Sequence, residues 1–133
     1  MKIIVCNDGR NGMMFNNRRQ SRDSLLIDDI IDMVKDEKLY CSGYTSKLFD
    51  NAEFKPEICE STSEVPENAY LFAEHPSQIP DEEQITQIIR YLWNRHYPSD
   101  AVLPIDLSSF KLESCTDFVG NSHEKITKEI YIK

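Results

Sequence analysis

The stretch "NDGRNGMMFNNRRQSRD", residues 7 to 23, holds two glycines, four asparagines and four of the chain's six arginines. Guanidinium groups donate paired hydrogen bonds to carboxylate and phosphate oxygens, so the chemistry on offer is capture of an anion. Arg18, Arg19 and Arg22, with backbone amides near Gly9 and Gly12 and the side chains of Asn17 and Gln20, would form an anion-receiving rim. Such a rim belongs over the C-terminal ends of parallel strands, where open α/β sheets bind ligands. Asp23 would orient one arginine and cap the helix that follows. The alternative is a solvated loop whose arginines pair singly with surface carboxylates.

Other chemistry is poorly supplied. Cys6, Cys41, Cys59 and Cys115 are far apart and show no C-x-x-C spacing, which reads as buried free thiols in a reducing compartment. His75, His96 and His123 are equally scattered and lack metal-ligand spacing, so neither a metal nor a cofactor is expected.

The balance of charge narrows the partners. The 133 residues carry a net charge of -8, with 40% hydrophobic and 29% charged residues, and the pI is near 4.8. Such a chain folds as one domain, 1–133, and repels nucleic-acid backbone and anionic lipid except at the arginine island. The start "MKIIVC" has no basic segment or long apolar stretch, so a cytoplasmic protein is expected.

Elements must position the arginines. "KIIVC" (2–6) reads as a strand buried on both faces. Leu26, Ile27, Ile30, Ile31 and Val34 recur at helical spacing and predict a helix over 23–36. "KLYC" (38–41) reads as a second strand parallel to the first, and "SGYTSKLF" (42–49) as a turn and short helix. One short strand is expected around Ile58 and another at "AYLFA" (69–73), with at most a helical turn in "EHPSQIPDEE". "ITQIIRYLWN" (85–94) fits helix and strand templates alike, and its β-branched and aromatic content tips it to strand. "FKLES" (110–114) and the alternating "KITKEIYIK" (125–133) complete an antiparallel hairpin. Tyr91, Trp93, His96 and Tyr97 beside Arg90 and Arg95 permit a homodimer interface, though core packing explains Trp93 equally well.

In this order the elements resemble a shortened dihydrofolate reductase. "DGRNGMMFN" is similar to that family's D-R-x-x-G-x-x-x-N loop, with Asp8 and Gly12 in place. "LYCSGYT" resembles its strand and G-R-x-T turn, with Thr45 at the threonine. "YPSDAVLP" resembles its G-D-T-x-F-P segment, and "DFVGNSHEKITKEIYIK" its ending. The resemblance implies an α/β three-layer fold, with a mostly parallel central sheet and a C-terminal antiparallel hairpin. If the arginines form a rim, they must converge on a concavity bounded by Gly12, Tyr44 and Thr45, because charge-assisted bonds need donors close to one anion.

Departures bear on activity. The family needs an acid on its first helix to hold the pterin, and neither Asp23, Asp28 nor Asp29 aligns with it cleanly. Its double glycine, which lets backbone approach the cofactor pyrophosphate, reads Ala73-Glu74, a carboxylate that would repel that group. Asp100-Ala101 lacks the family's threonine hydroxyl, and residues 50–68 are short for the adenosine side. Reductase activity of the usual kind is therefore not expected. "FNNRRQSRD" and "SHEKITKEIY" also resemble short bacterial proteins automatically labelled ribonuclease Z. Enzymes of that name require an H-x-H-x-D-H cluster binding two zinc ions, and this chain has none. The leading expectation is a domain binding a small anionic or nucleotide-like ligand. A divergent NADPH-dependent reductase and a metal-free nucleotide or RNA hydrolase are the alternatives.

Overall fold

The computed structural model of the chain describes residues 1–133. Lys2–Asn7 (β1) has the expected two-sided burial. Ile4 packs with Leu26, Ile30 and Phe49 on one face, while Ile3 and Val5 join Leu71, Ile85 and Ile88 on the other. A central strand must be apolar on both faces, which is why its hydrophobic run is continuous.

The segment after β1 departs from the open loop expected over 7–23. Gly12–Phe15 (β2) pairs antiparallel with Arg18–Arg19 (β3). Phe15 sits opposite Arg18, leaving Asn16 and Asn17 as a two-residue turn, with φ of 52° and 59°. Two positive φ values in a two-residue hairpin loop are the type I′ pattern, which asparagine tolerates better than other side chains. The asparagines and arginines that suggested a loop instead build a hairpin.

Ser24–Val34 (α1) begins at Asp23, whose carboxylate accepts a hydrogen bond from the Leu25 amide. The helix buries Leu26, Ile27, Ile30 and Val34 against the sheet, each worth roughly 1.5–3 kcal/mol of transfer free energy. Leu39–Cys41 (β4) leads through Ser42 into Gly43–Ser46 (α2). Glu57–Ile58 (β5), Tyr70–Phe72 (β6) and Gln87–Leu92 (β7) follow, so the ambiguous segment 85–94 holds a strand and no helix. Ala101–Val102 (β8) pairs with β2 and completes a three-stranded sheet, β3-β2-β8. Lys111–Phe118 (β9) and Ile126–Ile132 (β10) form the C-terminal hairpin.

The main sheet runs β5-β4-β6-β1-β7-β10-β9. Its first five strands are parallel, and β10 runs antiparallel to both β7 and β9, so the hairpin lies at one edge and β1 is interior, as expected. Helix α1 and the 3-10 turn Lys47–Phe49 cover one face. The opposite face is roofed by 3-10 turns at Thr62–Glu64, Pro76–Gln78 and Leu107–Ser109 and by their flanking loops. Tyr91 and Trp93 are absorbed by the core, which leaves Arg95, His96 and part of Tyr97 at the surface.

Candidate functional site

Asp8 organises the exit from β1. Its buried carboxylate accepts the amides of Arg10 and Gly12, each at 2.8 Å, and of Tyr97 at 3.1 Å. Burial acts to raise its pKa, but these amides and the Gln20 side chain outweigh burial and hold it below the usual value. Gln20 Nε2 donates both to Asp8 and to the Pro98 carbonyl, which fixes the orientation of its amide and leaves Oε1 buried without a partner. Gly12 is buried beneath this amide, where an added Cβ would lie 2.7 Å from Gln20 Nε2.

The four arginines separate. Arg19 turns inward: its Nε and Nη2 each donate at 2.9 Å to Glu74, and its guanidinium lies 4.2 Å above the Tyr44 ring. Thr45 Oγ1 donates at 2.7 Å to the same carboxylate. Burial works against the Arg19 charge, but bonding to Glu74 more than offsets it and raises its pKa. At the Ala73-Glu74 position the carboxylate is clasped by Arg19 and Thr45. Tyr44 and Thr45 serve this clasp. Arg10 is exposed, and Arg22 is exposed on the far side beside Lys47 and Asn121. Asn17 sits at the exposed hairpin tip.

Arg18 keeps an exposed guanidinium. It borders an open hollow of about 430 Å³ with Phe15, Asn16, Gln20, Tyr97 and Pro98. A second hollow, about 460 Å³, opens beside Gly43 at the ends of β4, β5 and β6. Ser42, Ser61, Thr62 and Ser77 line it with hydroxyls, but its one charged residue is Glu60, so it offers no cation to an anion. Between Cys6, Met13, Arg19, Ser21, Glu74 and Trp93 the remaining void is only about 10 Å³, the space of one water.

Asp23 caps α1 as expected but orients no arginine. It accepts the amides of Asn121 at 2.8 Å and Ser122 at 2.9 Å, and its Oδ2 lies 2.9 Å from His123 Nδ1. Burial tends to raise its pKa, yet the Asn121 amide, His123 and the other amides hold it far below the ordinary carboxylate range. The ionised carboxylate only accepts, so Nδ1 carries the proton that joins the two groups. Nε2 of the same ring lies 3.0 Å from Ser21 Oγ and 3.1 Å from the Tyr97 hydroxyl. His123 stacks on Trp93 at 4.6 Å between centroids and 27° between planes. Gly120 allows this close packing, since a Cβ there would meet Asp23 Oδ2 at 2.5 Å.

Sequence reasoning missed Ser21, Tyr97 and His123, which lie on three separate segments. Only the strand order could have joined them, because it returns the loop before β10 to the start of α1. No group of three or more His, Cys, Asp or Glu side chains is placed to hold a metal ion. All four thiols are free, with Cys41 and Cys59 buried, Cys6 half-buried and Cys115 exposed, the last two against expectation. Burial pushes Cys41 up to about 12. No helix is long and apolar enough to cross a membrane.

Among solved structures, a dihydrofolate reductase from Enterococcus faecalis complexed with NADP(H) and RAB-propyl matches 98% of this chain and 94% of its own, with a TM-score of 0.72. The chain has the dihydrofolate reductase fold. Identity to that enzyme is 10%, so the likeness speaks for architecture alone. No family model and no curated protein matches the sequence, and the ribonuclease Z resemblance gains no support.

Proposed function

We propose that this protein uses the dihydrofolate reductase fold to bind a small aromatic anion, such as a nucleoside monophosphate, rather than to reduce dihydrofolate with a nicotinamide cofactor. The observation that carries the reading is the hollow beside β3. Arg18 presents an unengaged guanidinium there, and Phe15, 42% exposed, and Tyr97 offer aromatic surface beside it. A phosphate would pair with Arg18 while a base stacks on the rings, and Gln20 and Asn16 border the same space with amide groups.

Two features weigh against nicotinamide chemistry. Glu74, clasped by Arg19, fills the position where the family's paired glycines admit a pyrophosphate. The void in front of it, about 10 Å³, is far below the space of a planar ring. Asp23, the buried acid at the start of the first helix, is committed to His123 and three amides.

Calorimetric titration of the full chain with adenosine monophosphate tests the reading. Saturable binding is expected, weakened at least tenfold, about 1.4 kcal/mol, by Arg18→Ala. Binding unaffected by that change, or NADPH binding in preference to the monophosphate, would overturn it.

A further inference from the structure

We infer that Ser21, His123 and Asp23 form an acyl-transfer relay connected to this hollow through Tyr97, with small anionic esters as substrates. The substrate class rests on the ligand reading above, whereas the relay rests on its own geometry. Asp23 Oδ2 to His123 Nδ1 is 2.9 Å and His123 Nε2 to Ser21 Oγ is 3.0 Å, so a carboxylate, an imidazole and a hydroxyl stand in line. Nucleophilic serine chemistry asks for this order of groups, on whatever fold it occurs.

Burial is graded in the same direction. Asp23 and His123 are 3% and 4% exposed, while Ser21 is half-buried and reaches solvent. The buried carboxylate fixes the tautomer that leaves Nε2 unprotonated toward the hydroxyl. The Trp93 face holds the ring against rotation. The amides of Ser21 and Arg22 donate to no acceptor in the protein. Tyr97 joins the relay to the hollow, since it lines that space and bonds Nε2.

The step balances without redox change. Ser21 Oγ attacks the ester carbonyl carbon as its proton passes to Nε2. The carbonyl–oxygen single bond then breaks, and the departing alcohol takes that proton. Water next attacks the acyl-serine, giving its proton to Nε2, and the collapse returns a proton to Ser21 and frees the carboxylic acid. The net reaction is ester plus water to acid plus alcohol. Arg18, exposed beside Tyr97, favours esters carrying a negative charge.

The test is covalent capture of the full chain by a fluorophosphonate, read by intact mass and peptide mapping. A single adduct at Ser21 is expected, absent in Ser21→Ala and formed at least 100-fold more slowly in His123→Gln. No adduct, an adduct on another serine, or a rate indifferent to His123→Gln in a variant that still melts cooperatively would overturn the relay. Release of 4-nitrophenol from 4-nitrophenyl hydrogen succinate should exceed that from 4-nitrophenyl acetate, with Arg18→Ala removing the difference. Capture at Ser21 without that preference supports the relay and defeats the hollow as its binding site. Adenosine monophosphate binding without capture does the reverse.

Discussion

At the scale of single residues, Asp23 carries the densest set of contacts. It caps α1, accepts two amides from the loop before β10, and meets His123. One carboxylate therefore ties residues 98 to 100 positions apart in sequence. Asp23→Asn removes the charge and sets an amide donor against amide donors, which should cost about 2–3 kcal/mol at neutral pH. The sign with pH follows from the depressed pKa of the folded state. Its contribution is complete above the ordinary carboxylate range and is lost as pH falls from about 4 towards the lower folded value. Denaturant unfolding from pH 7 down to pH 3 should show the Asp23→Asn deficit shrinking with acidification. A deficit that stays constant or grows would contradict the assignment. The sequence announced Asp23 as a cap because a cap is a local property. It did not announce His123, whose partners come from distant segments.

Among elements, the small sheet is held to the large one by the Arg19 clasp. β3 is only two residues long, and two-residue pairing alone is marginal. Arg19 supplies the missing hold by reaching Glu74 after β6 and the Tyr44 ring of α2. A double-mutant cycle of Arg19→Ala and Glu74→Ala should return a coupling of about 1–3 kcal/mol, because each single change leaves a largely buried charge unpaired. Coupling near zero would mean the clasp adds nothing beyond its separate parts. Main-sheet strands were legible because buried parallel strands write continuous apolar runs, as in "KIIVC" and "AYLFA". The β2–β3 hairpin was not. Its arginine strand is polar, and the asparagine pair that turns it also suits a loop.

Across the whole molecule, the strand order gathers the Arg18 hollow, the clasp and the Ser21–His123–Asp23 line around the ends of β1 and β6 and the β3–α1 link. The fold was legible from the order of its strands, since each short motif needed only its place in that order. The site was only partly legible: clustering in sequence drew attention to four arginines, whereas packing leaves Arg18 exposed and pairs Arg19 with Glu74. A chain of net charge -8 thus exposes the Arg18 guanidinium beside Phe15 and Tyr97. Amide nitrogen–proton correlation spectra of the labelled full chain, recorded while adenosine monophosphate is added, test this arrangement most directly. The account predicts progressive shifts centred on residues 15–20 and 97–98, with the Gly43 and Ser61 amides unmoved. Shifts centred on Gly43, Ser61 and Ser77, or no shifts at millimolar ligand, would contradict it.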